Sequence, residues 1–169
     1  GARVVRLGSA DVDLSCAENA ATLAVRIPNG ANIIMAAAIT PDRGRHPRDC
    51  MMLNIAMANT LAAYLEHARP RYVIFLGSID VYGREGLTLP LDESSPVRPA
   101  EYHGVCKGAC ELIYQEACRA AGVPVEQRVF GTEAAAVRPS FVSFVDCKQV
   151  LLEGFTIGGV PGARQRSGG

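Results

Sequence analysis

The sequence predicts an α/β protein in which helices cover a parallel sheet. Two continuous apolar segments, typical of buried strands, lie between residues 33 and 76, a further strand candidate lies at residues 123–130, and segments rich in helix-forming residues separate them. This alternation favours a parallel sheet whose strands are joined by right-handed crossovers. With 169 residues, of which 49% are hydrophobic, the chain is long enough for one domain with its own core.

The first predicted elements are a short strand and a helix. The apolar segment Arg3–Leu7 indicates a strand, and Cys16–Ile27 has apolar positions that suit a helix, which ends at the turn Asn29-Gly30. The next segment, Ile33–Ala38, is continuously apolar, the pattern of a strand that is covered on both faces.

The second predicted helix is Arg48–Ala68, which is rich in Ala, Leu and Met. Pro47 suits its start, and Pro70 lies just past its end. Apolar residues lie around most of its circumference, so we expect it to contact the sheet on one side and another surface, such as a second subunit, on the other.

A strand, a loop, a helix and a last strand follow. Tyr72–Leu76 is continuously apolar, and the three prolines of Leu87–Pro99 predict a loop. Glu101–Ala121 is a predicted helix that Gly122 closes, because glycine readily adopts the left-handed conformation found after a last turn. Val123–Phe130 is the last predicted strand of the sheet.

The alternation of strands and helices stops near residue 132. We therefore expect residues 1–131 to form the α/β core and residues 132–169 to form a β-rich appendage with a flexible, glycine-rich end. Within the appendage, Phe141–Val145 and Val150–Ile157 are β-type segments with no helix between them.

Charge and composition exclude several classes of function. The 17 Lys and Arg balance 17 Asp and Glu, so nothing in the net charge favours nucleic acid or an anionic membrane as a partner. The longest apolar segment, Ile33–Ile39, is far shorter than the roughly 20 residues of a membrane span. Six cysteines without CxxC pairs indicate a reducing, cytoplasmic environment and no zinc site.

Five segments resemble a known family in their order and spacing. They are Ile33–Ala38, Asn54, FLGSIDVYG (75–83), PLDESSP (90–96), and YHGVCK (102–107) with Glu111. Over residues 3–130 the chain resembles the middle of the NAD(P)-dependent epimerase/dehydratase family of extended short-chain dehydrogenases. The resemblance implies a partial doubly wound, Rossmann-like parallel sheet, NAD or NADP as cofactor, and oxidoreductase chemistry on a sugar or nucleotide sugar.

The resemblance also implies a catalytic group. Ser78 matches the Ser or Thr that hydrogen-bonds the substrate oxygen, and Lys107 matches the Lys that holds the nicotinamide ribose and lowers the pKa of a catalytic Tyr. That Tyr is expected four residues before the Lys, since four residues turn a helix by about 400° and bring both side chains to one face. His103 occupies this position, and Tyr102 lies one residue earlier.

Two interpretations of this spacing stay open. In the first, an overwound helix, or one that starts after residue 102, brings Tyr102 to the site, or His103 itself transfers the proton, as its pKa near 6.5 permits. In the second, the Ser-Tyr-Lys triad is broken. Because Lys107 disfavours a protonated His103, we expect a neutral imidazole in either case.

Further residues are implied at the cofactor. The family acid near the adenine, the small residues that let the cofactor lie close to the sheet, and the Asn of the preceding helix all have counterparts. Asp11 and Asp13 both resemble the acid, and Asp13 is assigned because Leu14 follows it as in the family pattern. With the catalytic Lys, these cofactor-binding residues are Asp13, Leu14, Ala36, Ala37, Ala38, Asn54 and Lys107.

One element of the family has no counterpart in the sequence. No G-x-x-G-x-x-G turn, whose backbone N–H groups and helix dipole would hold the pyrophosphate, precedes Arg3. We therefore expect a truncated sheet that lacks the N-terminal Gly-rich βαβ unit, with weakened or lost affinity for NAD or NADP.

Two other hypotheses concern function. The chain could be a non-catalytic, recombined α/β domain that self-associates through helices 48–68 and 101–121, which commonly form a dimer in the resembled family. Residues 137–161 resemble one turn of the parallel β-helix of polygalacturonases, although none of the catalytic motifs of those glycoside hydrolases is matched. A glycoside hydrolase fragment is therefore the third hypothesis. Alternatively, VRPSFV (137–142) continues the dehydrogenase-like sheet.

Overall fold

The structure is a computed structural model that describes residues 4–41, 44–83 and 95–128. Within these ranges the chain forms a three-stranded sheet and three α-helices. The strands are β1 (Asn32–Met35), β2 (Tyr72–Leu76) and β3 (Val125–Arg128), and the helices are α1 (Ala20–Arg26), α2 (Pro47–His67) and α3 (Tyr102–Ala121).

The sheet is parallel and has the strand order β1-β2-β3. Asn32 of β1 lies opposite Tyr72 of β2, and Val73 of β2 lies opposite Val125 of β3. Helices α2 and α3 connect successive strands and pack against each other. The predicted α/β class is thus confirmed, and the carboxyl ends of β1 and β2 meet at one edge, where open sheets bind ligands.

Helix α2 begins where its sequence predicts. Pro47 is its first residue, a position at which the missing N–H leaves no helical bond unmade. The His46 side chain caps the start, because its Nδ1 accepts a hydrogen bond from the Arg48 N–H at 3.2 Å. The inner face buries large side chains that include Leu61 and Leu65.

Helix α3 buries a stripe of side chains in the core that it shares with α2 and β2. Cys106, Cys110, Tyr114 and Cys118 recur every four residues and are at most 3% exposed. The Tyr114 ring lies 4.8 Å from the Phe75 ring of β2, measured between centroids. The helix ends at a glycine with φ 67°, the left-handed cap that the sequence predicts.

The first part of the chain differs from its prediction. Residues 4–7 of the predicted strand Arg3–Leu7 belong to no strand; no described strand pairs with them, and Val4 and Val5 are exposed. The predicted helix Cys16–Ile27 begins with a 3-10 turn, Ala17–Asn19, before α1.

The first strand of the sheet is also shorter than predicted. The apolar segment Ile33–Ala38 forms strand only to Met35, and the alanines that follow are exposed beyond the end of β1. Met35 faces the core that α2 and α3 share, whereas Asn32 and Ile34 are exposed. Among the described residues, therefore, only one face of β1 is covered.

Several predictions fall outside the described residues. These are most of the loop Leu87–Pro99, the end of the strand Val123–Phe130, and the whole appendage 132–169 with its two β-type segments. The domain boundary at residue 131 and the cytoplasmic location stay predictions.

In the ranges that the structure covers, no helix combines the length and the apolar character needed to cross a membrane.

Candidate functional site

The candidate site lies where β2 ends and α3 passes over it. Ser78 follows β2 by two residues, is 7% exposed, and begins the 3-10 turn Ile79–Tyr82. Its Oγ accepts a hydrogen bond from the Asp80 N–H at 3.3 Å and donates one to Asp80 Oδ2 at 3.2 Å. The hydroxyl predicted to meet a substrate oxygen is thus held at the carboxyl edge of the sheet.

Lys107 reaches from α3 to the same edge. Its Nζ donates a hydrogen bond to the Leu76 carbonyl oxygen at 3.0 Å and lies 5.1 Å from the centroid of the Phe75 ring. Burial lowers the pKa of Lys107, and the neighbouring thiols of Cys110 and Cys106 oppose this shift. A cation that is only 8% exposed is therefore fixed at the end of β2.

His103 lies one turn before Lys107 on the regular helix α3 and so shares its face. Its Nε2 lies 3.9 Å from Asp80 Oδ2. Burial and the charge of Lys107 lower the pKa of His103, while Asp80 and, after it, Glu101 act in the opposite direction. Since the ordinary value is about 6.5, the imidazole is mostly neutral at pH 7, as the sequence predicts.

Tyr102 does not share that face. It is the first residue of α3, is 46% exposed, and meets the His46 ring edge-on at 6.5 Å between centroids. Five residues of a regular helix turn the chain by about 500°, which points Tyr102 roughly 140° away from Lys107. A helix that begins at Tyr102 also rules out the later start that would bring this phenol to the site.

Asn54 connects α2 to the segment that follows β1. Its Oδ1 accepts a hydrogen bond from the Ile39 N–H at 2.9 Å, and its Nδ2 donates to the carbonyl oxygens of Ile39 and Cys50, both at 2.8 Å. Both ends of the amide are thus bonded to backbone. Here Asn54 holds the strand end in place, and its predicted contact with a cofactor stays a prediction.

The remaining predicted cofactor residues lie in two places. Ala36, Ala37 and Ala38 are exposed directly after β1. Asp13 lies in a local turn before α1, where its Oδ1 accepts hydrogen bonds from the Ser15 N–H and hydroxyl at 2.9 and 2.7 Å, which lower its pKa. The following residue, Leu14, is partly buried against the core. The structure therefore sets the alanines at the carboxyl edge and the Asp-Leu pair in a separate turn.

These residues suit a dinucleotide at the sheet edge. Small exposed side chains after β1 leave the edge accessible. The Lys107 ammonium and the Ser78 hydroxyl, which both lie at the end of β2, are groups that bind ribose and alcohol oxygens. Within residues 4–41, 44–83 and 95–128, no group of three or more His, Cys, Asp or Glu could hold a metal ion.

Asp80 belongs to this site, although the sequence analysis did not assign it. Its carboxylate meets Ser78 and lies within 3.9 Å of the His103 ring. The available signal was its spacing, because a carboxylate two residues after a turn-forming Ser folds back toward that Ser. Its proximity to His103 depends on how α3 crosses the turn, which the sequence pattern does not specify.

Gly104 is a second residue that the sequence analysis missed. A Cβ on it would lie 2.9 Å from the Asp80 carbonyl carbon and 3.1 Å from Pro99 Cβ, and nearer still to the Asp80 oxygen. Only a residue without a side chain lets α3 approach the turn this closely.

Solved structures of nucleotide-sugar enzymes resemble the fold. A GDP-D-glycero-L-gluco-heptose synthase from Campylobacter jejuni, in the presence of NADPH, is 17% identical with a TM-score of 0.64, and the match covers 75% of this chain and 39% of that one. The UDP-Glc/GlcNAc 4-epimerase of the same organism is 22% identical with a TM-score of 0.57, and the match covers 70% of this chain and 36% of that one. The Bordetella bronchiseptica enzyme WbmG, in complex with NAD and UDP, is 19% identical with a TM-score of 0.58, and the match covers 69% of this chain and 36% of that one.

The chain spans less than half the length of each of these structures. A comparison with curated protein sequences found no match. The comparisons give no support to the β-helix resemblance of residues 137–161. The family model described as "NAD dependent epimerase/dehydratase family" matches residues 10–139, which is most of the chain, and the protein therefore belongs to this family.

Proposed function

We propose that the chain binds NAD or NADP at the carboxyl edge of its sheet and takes part in the oxidation or reduction of a nucleotide sugar. The observation that carries this proposal is the meeting of Ser78, His103 and Lys107 at the end of β2. Enzymes with this fold that are solved with NADPH, or with NAD and UDP, support both the cofactor and the class of substrate.

Each side chain has a role in the oxidation of a sugar hydroxyl. Ser78 hydrogen-bonds the reacting oxygen, Lys107 binds the ribose of the cofactor and stabilises developing negative charge, and His103 takes the hydroxyl proton. The bound dinucleotide supplies the acceptor for the hydride that leaves the carbinol carbon. In the reverse direction the imidazolium returns the proton to the carbonyl oxygen.

Thermal melting with added NAD or NADP tests the proposal. A ligand that binds only the native state at about 100 times its Kd stabilises it by about 2.7 kcal/mol. For a domain of this size that free energy raises Tm by about 5–10 °C. We expect a Tm that rises with cofactor concentration up to the millimolar range.

Lys107→Met provides the control, because it keeps the length of the stem and removes the cation. This variant should show a smaller rise in Tm at each cofactor concentration. A wild-type Tm that stays constant at millimolar NAD and NADP would contradict the proposal.

A second candidate function, self-association through α2 and α3, also has a structural basis. An apolar cleft of about 660 Å³ lies between the two helices and is lined by residues that include Leu65 and Leu112. Leu112 is 67% exposed, and Met52 and Val105 are further exposed apolar side chains of the same helices. An apolar cleft bordered by an exposed leucine is typical of sites that bind another protein.

A further inference from the structure

Asp80 stands between the two groups that would meet the reacting oxygen. Its Oδ2 accepts the Ser78 hydroxyl at 3.2 Å and lies 3.9 Å from His103 Nε2. The Asp80 and His103 side chains are 35% and 32% exposed, so water screens their interaction less than it screens a surface pair. One carboxylate oxygen thus faces both groups.

The position of this carboxylate is fixed by the surrounding backbone. Asp80 lies within the 3-10 turn, and its carbonyl oxygen accepts the Gly83 N–H at 3.2 Å. The Arg98 N–H bonds the Val81 carbonyl oxygen at 2.9 Å, which ties the turn to the chain before α3. On its other side the turn is packed against Gly104. Rigid neighbours of this kind are what positioning a catalytic side chain requires.

The hydrogen bond with Asp80 determines what Ser78 offers to a substrate. Its only proton points to Oδ2, and one lone pair of its Oγ receives the Asp80 N–H. A hydroxyl oxygen has two lone pairs, so the other lone pair is free to accept a hydrogen bond. In this resting state Ser78 only accepts. Because the proton of the reacting hydroxyl goes to His103, Ser78 can donate to the oxygen left behind once its own proton turns from Oδ2 toward the substrate.

The same carboxylate selects the tautomer of His103. A neutral imidazole carries its proton on one ring nitrogen, and a nearby carboxylate favours the proton on the nitrogen that faces it. Here that nitrogen is Nε2. The lone pair then lies on Nδ1, where it can accept a proton.

We infer that Asp80 is a positioning residue that holds the Ser78 proton in the resting site and favours the tautomer of His103 whose lone pair, on Nδ1, can take the proton of a substrate alcohol. The inference rests on the proposed function of the site. It assigns Asp80 no bond to substrate and no share in hydride transfer; the carboxylate acts through the two side chains beside it.

Several other groups also face His103. Lys107 on α3 disfavours the imidazolium, and Glu101 just before α3 favours it, as Asp80 does. The thiols of Cys50 on α2 and Cys106 on α3 line a small cleft with His103. Because Asp80 is the acidic group in this set that faces both Nε2 and Ser78, replacing it should have an effect that replacing Glu101 does not.

Nitrogen NMR of the His103 ring tests the inference without cofactor or substrate. In the wild-type protein we expect the signature of the tautomer protonated on Nε2. In Asp80→Asn the pKa of His103 should fall, because a charge that favours the imidazolium is gone, and the tautomers should mix. Glu101→Gln is the matched control and should lower the pKa less while leaving the tautomer unchanged.

A kinetic measurement complements the NMR. If NAD(P)-linked oxidation of a nucleotide sugar is observed, Asp80→Asn should lower kcat by up to about a hundredfold and leave KM nearly unchanged, since the base is misoriented and binding is not. Asp80→Glu should recover part of the loss.

The two proposals fail on different observations. An unchanged pKa and an unchanged tautomer of His103 in Asp80→Asn, with the melting curve of that variant confirming a folded protein, would overturn the role of Asp80. Absence of cofactor binding would overturn the proposed function and leave the NMR result as it stands.

Discussion

A difference of one residue decides which proton-transfer group meets Lys107. His103 lies four residues before it and faces the end of β2, whereas Tyr102 packs on His46. A neutral imidazole with a pKa below about 6.5 is already a base at pH 7, while a phenol, with a reference pKa of about 10, needs a large downward shift. The histidine therefore makes the site less dependent on the lysine charge than a tyrosine would.

Substitutions at the two positions should separate these groups. His103→Phe should lower the rate of NAD(P)-linked oxidation by about 10²–10⁴-fold, since it removes the proposed general base. Tyr102→Phe should leave the rate within about twofold, because it removes only a hydroxyl on the far side of α3 from Lys107 and keeps the ring contact with His46. Initial rates and melting curves of both variants provide the measurement, and the opposite ranking would refute the assignment.

The pH dependence provides a further prediction. Wild-type kcat/KM for oxidation should fall as the pH drops through the lowered pKa of His103, because protonation removes the acceptor lone pair. His103→Tyr restores the family spacing to Lys107 and should move this fall to higher pH. Rates measured from pH 5 to 10 would decide; profiles that superimpose would show that residue 103 does not titrate in catalysis.

How far the sequence predicts the site follows from the range of each interaction. The pairing of His103 with Lys107 depends only on helix geometry, so the spacing alone predicted it. The sequence analysis did not assign Asp80, because the proximity of Asp80 to His103 depends on two different elements. The hydrogen bonds of Asn54 likewise depend on the segment after β1, which lies in another element. A periodicity within one element carries no information about contacts of this kind.

At the scale of elements, the contact of α3 with the turn after β2 depends on Gly104. In Gly104→Ala, the new Cβ would overlap the Asp80 carbonyl oxygen, which belongs to backbone and cannot move aside. Overpacking of this kind destabilises by about 1–3 kcal/mol.

Gly108 offers the matched control on the same helix. A Cβ there meets nothing within 4 Å, so Gly108→Ala should stabilise by about 0.5–1 kcal/mol through helix propensity. If α3 approaches the turn as closely as described, urea unfolding should show a lower free energy of unfolding for Gly104→Ala and a higher one for Gly108→Ala. A change of the same sign in both variants would contradict the close approach of α3 at Gly104.

The accuracy of the predicted elements depends on where their ends are encoded. Helix α2 is within one residue of its prediction at each end, and β2 agrees fully, since Pro47 and a bounded apolar segment mark them locally. The prediction of a strand at Arg3–Leu7 was wrong. A strand needs a neighbouring strand to pair its backbone hydrogen-bonding groups, and apolar residues alone do not provide one.

At the scale of the whole molecule, the surface of α2 and α3 bears on oligomeric state. If two copies associate through it, Leu112→Glu should weaken the dimer at least about tenfold, because a charge would be buried without a partner. Val25→Glu on α1 is the control: Val25 is 87% exposed and does not line the cleft.

Sedimentation of the three proteins over a range of concentrations is the measurement. We expect a dimer for the wild type and Val25→Glu, and a monomer for Leu112→Glu. A wild-type chain that stays monomeric at all concentrations would contradict self-association.

Family membership was within reach of the sequence because five short segments recur in one order, and the family match confirms that interpretation over residues 10–139. The parallel direction of the strands also followed from the alternation of elements. The sequence predicted that both faces of β1 are covered, but one face is exposed among the described residues. Hydropathy shows which residues are apolar, not which elements pack against them.

The two hydrogen bonds between Asn54 and the backbone of Ile39 have a mechanical consequence. They lock the rim that carries Ala36–Ala38 to the first turns of α2, so that strand end and helix should shift as one rigid piece. A transition that widened this rim would have to break both bonds together or rotate α2 with it, and slow amide exchange at Ile39 would report that stiffness directly.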